Sequence, residues 1–259
     1  MKKTLIITSL FFALLALGST GANAQAPAQS AQSKLIRLST LEWPPYVGLL
    51  MPQEGLSTRI TSVVSRKAGY RLLTAPLEWA QTVEKGEKDP NFDGYFPEYF
   101  SKEREQACHL SQSIGVSELG IASLKKDPIN WSTIADLAAH RLGVVDGYLN
   151  GDELDAAIKE KRQPVDLAAS DAINVSKLRS GKLRGIVIDK NVFEYTLFNT
   201  GGANEVQFGT RPLARLTLHI CFKRTAAGLA MRDAFDAALK DTDIAKIEAD
   251  YIRSITKRN

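Results

Sequence analysis

The stretch that decides the fold is Glu42-Trp43-Pro44-Pro45-Tyr46, which follows a short apolar run that is typical of a β-strand. Adjacent prolines restrict the backbone and remove two N–H donors, so they predict a stiff turn directly after that strand. Such a turn would hold the side chains of Trp43 and Tyr46 in place. It predicts either one wall of a ligand site or the end of a strand whose aromatic residues pack in the core.

A second informative stretch lies further along the chain. It reads Phe92-Asp93-Gly94-Tyr95-Phe96-Pro97-Glu98-Tyr99 and runs on to Ser101-Lys102-Glu103-Arg104. In order and spacing, the two stretches resemble the family 3 periplasmic solute-binding proteins. The resemblance includes the segments 136–147 and 180–189, and it covers the chain from about Lys34 to Tyr251.

This resemblance implies an α/β fold of the type II periplasmic-binding-protein kind, in which two lobes joined by two hinge strands enclose a ligand in the cleft between them. It implies that lobe 1 begins with residues 35–115 and that lobe 2 spans residues 116–212. Residues 213–259 would form the hinge return strand and C-terminal helices that pack back on lobe 1. Hinge motion is expected near residues 114–118 and 207–213.

The apolar pattern independently favours strands that alternate with helices. Short runs rich in Val, Ile or Leu predict the strands, and apolar residues at helical spacing predict the helices between them. Alternation of this kind predicts an α/β fold with largely parallel sheets. Two consecutive helical patterns at the C-terminus break the alternation. The predicted strands are residues 35–41, 71–77, 119–126, 141–146, 183–189 and 216–223.

The N-terminus has the order of a secretory signal. Lys2 and Lys3 precede an apolar run over residues 5–17, and Ala22-Asn23-Ala24 closes the segment. This order predicts a signal peptide over residues 1–24, because the apolar run is shorter than the ~18 residues of a membrane span. Residues 25–34 are mainly Ala, Gln, Pro and Ser and predict a disordered leader. We therefore expect a periplasmic protein.

Charge and cysteine content limit the function classes. The formal charge of +4 falls to +2 when the signal segment and its two lysines are removed, which is too little for a nucleic-acid partner. Cys108 and Cys221 could form a disulfide in an exported protein, or each could pack as a small free hydrophobe. No spacing typical of metal ligands or of a Ser/His/Asp triad is present, so neither a metal nor a cofactor is expected.

The resemblance implies one charged ligand contact from each lobe. Arg104 matches the arginine that clamps a ligand α-carboxylate, and a planar guanidinium suits a carboxylate because it forms two parallel hydrogen bonds. Without the motif, Arg104 would be interpreted as a solvated helix charge. Asp189 matches the acid that meets the ligand ammonium, and it also fits the N-cap of the helix that follows.

The resemblance also implies aromatic and backbone contacts. Trp43, Tyr46 and Trp79 match positions that line the first-lobe face, although Trp79 also fits a core position. Gly147 and Tyr148 match a Gly-Thr segment that helps to hold the carboxylate. Backbone amides at a helix start would suit that role.

The chain departs from the family pattern at Phe96-Pro97-Glu98-Tyr99, where amino-acid binders commonly carry a Ser-Gly-x-Thr-like run. Proline has no N–H and Tyr99 is bulkier than threonine, so the pocket for the ligand amine must be rebuilt. Glu98 either points inward and replaces the lost contacts or is a plain surface charge. The expected ligand is an amino acid, a related carboxylate or a small peptide-like amine.

These features together predict a monomeric binding protein that delivers a small polar molecule to an inner-membrane ABC permease and catalyses no reaction. One alternative is an enzyme on the same scaffold, similar to a cyclohexadienyl dehydratase, in which Glu98 or Asp189 protonates a leaving hydroxyl. Another alternative is a ligand-sensing module for a membrane signalling protein.

Overall fold

The structure is a computed structural model that describes residues 33–256. The predicted signal peptide and most of the predicted leader lie outside these residues. β1 begins at Lys34, so the last residue assigned to the leader is already part of a strand. Within the described range, no helix combines the length and the apolar character that a membrane crossing requires.

Strands and helices alternate along most of the chain. The strands are β1 (Lys34–Thr40), β2 (Tyr70–Pro76), β3 (Gly94–Tyr99), β4 (His109–Leu110), β5 (Gly115–Leu124), β6 (Leu142–Val145), β7 (Val165–Ala168), β8 (Gly185–Asp189) and β9 (Val206–Phe222). The α-helices are α1 (Leu56–Lys67), α2 (Trp79–Lys88), α3 (Lys102–Ala107), α4 (Ile134–Leu137), α5 (Asp152–Lys159), α6 (Asp171–Arg179), α7 (Lys190–Thr200), α8 (Ala226–Lys240) and α9 (Ile244–Thr256).

The strands form a mixed sheet in the order β2-β1-β3-β9-β5-β8-β6-β7, and β4 pairs with β9. Pairing is parallel among β1, β2 and β3 and among β6, β7 and β8. It is antiparallel where β9 meets β3 and β5, and where β5 meets β8. The expectation of largely parallel sheets therefore holds only for the outer strands, because the two long central strands run against their neighbours.

β5 and β9 are these two central strands, and they carry the chain between the halves of the sheet. They pair from Gly115 opposite Leu218 to Leu124 opposite Val206, and the register shifts on both sides of Gly120. The predicted hinge segments 114–118 and 207–213 fall almost wholly within these strands. The architecture is that of a two-lobed periplasmic-binding-protein-like domain, whereas the lobe boundaries given above stay a prediction.

The first half of the sheet is packed around large aromatic residues. The ring of Phe235 in α8 lies against Phe222 of β9 with centroids 5.0 Å apart and against Tyr70 of β2 at 5.9 Å. Both phenylalanines are fully buried. α8 and α9 also contact α1, which buries Ile60 and Val64.

Cys108 and Cys221 form a disulfide, with their Cα atoms 5.6 Å apart. This finding decides between the two alternatives that the sequence leaves open. Cys108 directly follows α3, and Cys221 lies in β9 opposite Leu110 of β4. The two cysteines are 113 residues apart in the chain, and the whole predicted second lobe lies between them.

Candidate ligand site between the lobes

The aromatic turn after β1 has the form that its prolines predict. The backbone N–H groups of Tyr46 and Val47 both donate to the carbonyl oxygen of Trp43, each at 3.0 Å. The rings of Trp43 and Tyr46 stack with centroids 4.4 Å apart. Both side chains are buried. The turn therefore presents a stacked aromatic pair to the second half of the protein.

Trp43 reaches across to Asp171, an acid that the sequence analysis missed. The indole Nε1 donates to Oδ2 of Asp171 at 3.1 Å. Asp171 is the first residue of α6, just after β7, and it is buried. Burial raises the pKa of Asp171 to about 7, against the lowering effect of the Trp43 hydrogen bond. Its place after the carboxyl end of a strand, where ligands of open α/β sheets bind, is a signal that could have identified it.

Tyr46 makes the corresponding contact with Asp189. The tyrosine hydroxyl donates to Oδ2 of Asp189 at 3.1 Å, and Oγ of Ser117 donates to the same oxygen at 2.6 Å. The other oxygen, Oδ1, accepts from the backbone N–H of Val192 at 2.9 Å, so Asp189 is the N-cap of α7. Burial raises the pKa of Asp189, while the Ser117 hydrogen bond lowers it.

Tyr99 extends this network towards the first lobe. Its hydroxyl lies 2.7 Å from Oγ of Ser117, and its ring meets Trp43 edge-on with centroids 6.0 Å apart. Burial raises the pKa of Tyr99 well above its ordinary value. The hydroxyl is therefore neutral, and it donates to Ser117, whose own proton is donated to Asp189.

Trp79, Gly147 and Tyr148 form a third contact across the cleft. Nε1 of Trp79 donates to the carbonyl oxygen of Gly147 at 3.0 Å, and the rings of Trp79 and Tyr148 meet edge to face at 5.5 Å. The expectation of backbone amides at a helix start is wrong, because α5 begins only at Asp152. The amide of Tyr148 donates to Val145 instead. Gly147 contributes its carbonyl oxygen, in a turn that needs a φ of +75°.

Glu98 points inward, and the surface-charge interpretation is excluded because only 2% of the residue is exposed. Oε2 accepts from the hydroxyl of Tyr95 at 2.9 Å, and Oε1 accepts from the backbone N–H of Tyr99 at 2.8 Å. The pairing of β3 with β9 shifts register between Tyr95 and Glu98, where Pro97 has no N–H to pair. Burial raises the pKa of Glu98 to about 7, and Arg104 opposes that shift.

Arg104 pairs with Glu98 inside the first lobe. Its Nε lies 3.0 Å from Oε2 of Glu98, and Nη1 lies 4.0 Å from Oε1 of Glu87. The side chain is 20% exposed, so Arg104 is not a solvated helix charge. Its backbone N–H donates to Oγ of Ser101, which caps α3. Glu98 lines the cavity between the lobes and Arg104 does not.

Three neighbouring cavities lie in the cleft. The inner cavity, about 20 Å³, is bordered by Trp43, Trp79, Glu98, Tyr99 and Tyr148. The side cavity, about 10 Å³, adds Asp171 and Asp189, and the outer cavity, about 420 Å³, opens beside α6 and α7. Trp43 and Tyr148 border all three. The inner cavity has room for one water-sized group, since a water needs roughly 10–15 Å³ on this measure.

The charge around these cavities is one-sided. Glu98, Asp171 and Asp189 border the inner and side cavities, and Glu42 and Glu78 border the outer one. Within the described part of the chain, no lysine or arginine borders these three cavities. Residues 33–256 contain no group of His, Cys, Asp and Glu arranged to hold a metal ion.

A larger groove of about 790 Å³ lies between α3, α5 and the middle of β9, and it adjoins the inner and side cavities at Leu149. It is lined by both acidic and basic residues, among them Lys102, Asp152 and Arg211. None of the nine site residues expected from the sequence borders it. The structure instead gathers Trp43, Tyr46, Trp79, Glu98, Tyr99, Gly147, Tyr148 and Asp189 around the interlobe cleft, with Arg104 behind Glu98.

Solved structures with the same architecture support the fold. The chain is similar to the ligand-binding core of GluR0 from Nostoc punctiforme in complex with L-glutamate (TM-score 0.66, 16% identity, 83% of this chain and 98% of that one). It is similar to a histidine kinase sensor domain that resembles periplasmic binding proteins (TM-score 0.73, 15% identity, 85% and 96%). It is also similar to a substrate-binding protein of an ABC uptake transporter from Streptococcus pneumoniae with bound histidine (TM-score 0.68, 16% identity, 84% and 92%).

No protein-family model matches the sequence, and no curated protein matches it significantly. At identities of 15–16% the structural likeness establishes the two-lobed fold alone. The residues of the cleft must therefore carry any conclusion about the ligand.

Proposed function

We propose that this protein is a periplasmic solute-binding protein that holds a small polar molecule bearing an amine, such as an amino acid or a related compound, and delivers it to an ABC importer. One observation carries the proposal. Three buried carboxyl groups, those of Glu98, Asp171 and Asp189, border one cleft together with the rings of Trp43 and Tyr148. Glu98 pairs with Arg104, whereas Asp171 and Asp189 have no lysine or arginine partner among the described residues. Buried acids without cationic partners are unfavourable unless a function requires them.

The contacts across the cleft support a capture mechanism. Trp43 meets Asp171, Tyr46 meets Asp189 and Trp79 meets Gly147, each through one hydrogen bond. The inner cavity is too small for an amino acid, so a ligand enters only when these contacts separate. β5 and β9 are the segments where the chain would bend, since they join the two halves of the sheet.

A retained ligand is the most direct test. Native mass spectrometry of protein purified without denaturation would show a bound mass that disappears on unfolding. Addition of the identified compound to refolded protein should reduce the radius of gyration in X-ray scattering. An unchanged scattering profile with a compound that demonstrably binds would contradict the capture mechanism.

Export and delivery need their own experiments. The intact mass of the protein in the periplasmic fraction should correspond to a chain that begins near Gln25. A deletion strain should lose uptake of the radiolabelled ligand if the protein serves an importer. Normal uptake combined with a lost transcriptional response to the ligand would favour the sensing module.

An enzyme on the same scaffold is the second candidate. The observation that favours it is Glu98, whose pKa is raised to about 7 by burial at the edge of the inner cavity, as a general acid near neutral pH requires. Incubation with prephenate or arogenate, followed by chromatography, would show the dehydrated product. Product formation that Glu98→Gln abolishes would replace the binding proposal.

A further inference from the structure

The charges of the cleft bear on whether the ligand also has a carboxylate, in addition to its amine. Five carboxyl side chains border the three cavities, and no bordering residue within the described chain is a lysine or an arginine. A zwitterionic amino acid brings a carboxylate that would need a cationic partner in this cleft. An organic cation needs none.

Arg104 is the cation from which such a partner would be expected, and Glu98 already occupies it. Oε2 of Glu98 lies 3.0 Å from Nε of Arg104 in an ion pair, and Glu98 borders the inner cavity whereas Arg104 does not. A ligand carboxylate brought to Arg104 would meet the like charge of Glu98. We therefore infer, on the basis of the proposed function, that the cleft selects an organic amine without a carboxylate over the corresponding amino acid.

The aromatic side chains suit the same ligand. Trp43, Trp79, Tyr99 and Tyr148 border the inner cavity, and their ring contacts with one another are mostly edge to face. Edge-to-face packing turns the faces of some rings away from their neighbours. An ammonium group is attracted to such a face, most strongly where water is excluded.

The sizes of the cavities are consistent with an amine bound head first. The inner cavity of about 20 Å³ matches a single ammonium group, which is close to a water molecule in size. The outer cavity of about 420 Å³ is bordered by apolar groups such as Leu77 and Val192 and has room for the rest of a small molecule. The head would thus lie beside Glu98, and the body would lie along α6 and α7.

Calorimetric titration of the refolded full-length protein with matched pairs tests the inference. The pairs are arginine with agmatine, lysine with cadaverine, and phenylalanine with phenethylamine, and 2-phenylethanol is the neutral control. At least one amine should bind at least tenfold more tightly than its parent amino acid and the alcohol. The inference fails if every amino acid binds as tightly as its amine, or if no amine binds.

The pattern of failure separates this inference from the proposed function. Binding of amino acids without binding of amines would leave a solute-binding protein with a different ligand class. Tight binding of the alcohol would indicate an apolar site. If no compound binds and no ligand mass is retained on purification, the proposed function fails as well.

Two glutamates beside Arg104 provide a matched pair of variants. Glu98→Gln should weaken amine binding at least tenfold and strengthen binding of the parent amino acid, because Arg104 then lacks its carboxylate partner. Glu87→Gln should change neither, since Glu87 lies 4.0 Å from Arg104 and outside the cavities. A loss of amine affinity in Glu98→Gln without any gain for the amino acid would overturn the role of Glu98 as an internal substitute for the ligand carboxylate.

A further variant covers the case in which Glu98→Gln does not fold, as judged by a melting curve. Asp171→Asn removes a negative charge from the side cavity and keeps an acceptor for Nε1 of Trp43. It should also weaken amine binding severalfold. Unchanged amine affinity in a folded Asp171→Asn protein would overturn the inference.

Discussion

Glu98 and Arg104 form an ion pair inside the first lobe, with 3.0 Å between Oε2 and Nε. The pair joins β3 to α3, and its two members differ in burial, because the glutamate side chain is 2% exposed and the arginine 20%. A carboxylate in this position needs its cation, since a buried acid without one is strongly disfavoured. The pair therefore links the stability of the lobe to the charge of the cleft.

Replacement of Arg104 should expose this link. Arg104→Ala leaves Glu98 buried without its cation, so we expect a loss of about 2 to 4 kcal/mol of unfolding free energy at pH 8. The loss should be smaller at pH 5.5, where Glu98 can take up a proton. Urea denaturation at the two pH values measures both. The control is Arg162→Ala, which removes an exposed pair with Glu160 and should have no measurable effect. Equal losses at both pH values would contradict the pairing.

Stability without ligand should fall as the pH rises from about 4 to about 7. Burial raises the pKa of Asp171 and of Glu98 to about 7, so the folded state keeps protons that the unfolded state has already released. Asp171 faces Trp43 and the like charge of Asp189. Glu98 faces Arg104, Tyr95 and Glu87.

Asp171→Asn separates this effect from other titrations. Burial lowers the pKa of His219, so this residue makes the stability rise with pH below its ordinary pKa, which is the opposite trend. The variant should show a flatter pH dependence and gain at least about 1 kcal/mol relative to the wild type between pH 5 and pH 8, since one pKa unit corresponds to roughly 1.4 kcal/mol. Urea denaturation gives the unfolding free energy of each protein at each pH. If this free energy changes with pH in the same way in both proteins, Asp171 keeps an ordinary pKa.

Loss of the Trp79 hydrogen bond should favour an open cleft. Trp79→Phe keeps an aromatic ring but removes the donor to the carbonyl oxygen of Gly147. We expect a larger radius of gyration in X-ray scattering for the protein without ligand. Tyr70→Phe is the control, because it also keeps a ring and removes one donor, and Tyr70 packs on Phe235 in the first half of the sheet. The same increase in both variants would point to general loosening instead of opening.

The disulfide should contribute substantially to stability. Cys108 and Cys221 close a loop that spans a sequence separation of 113, and loops of this length lose much conformational entropy in the unfolded chain. The double variant Cys108→Ser/Cys221→Ser should lose about 2 to 4 kcal/mol in urea denaturation. Addition of a reductant should lower the stability of the wild type and leave the double variant unchanged. Stability of the wild type that does not respond to reduction would contradict a structural role.

Local chemistry explains most of what could be predicted from the sequence. The prolines of residues 44–45 restrict the turn that carries Trp43 and Tyr46, whatever the rest of the chain does. The apolar runs identify most of the strands, although β3, β4 and β7 are absent from the predicted set. β7 has only four residues and no fully apolar run, so its pattern is weak.

The site was less predictable because its contacts join distant parts of the chain. Asp171 lies 128 residues from Trp43, and Asp189 lies 143 residues from Tyr46. Periodicity records which face of an element is apolar, but it carries no information about which acid meets which ring. The helix start expected at Gly147 and Tyr148 is absent, because residues 146–147 form a turn and α5 begins only at Asp152.

The sequence by itself determined the α/β alternation and the aromatic turn after β1, because both depend on local backbone preferences and on the periodicity of apolar residues. The two lobes and the acid at the end of β8 were implied by the family resemblance in the order and spacing of the motifs. Only the tertiary structure decided that Glu98 points inward against Arg104, that Asp171 joins the cleft and that Cys108 bonds to Cys221. These features depend on the register of β3 against β9 and on the packing of one lobe against the other. Such relationships bring together residues that are far apart in the chain, and local preferences do not encode them.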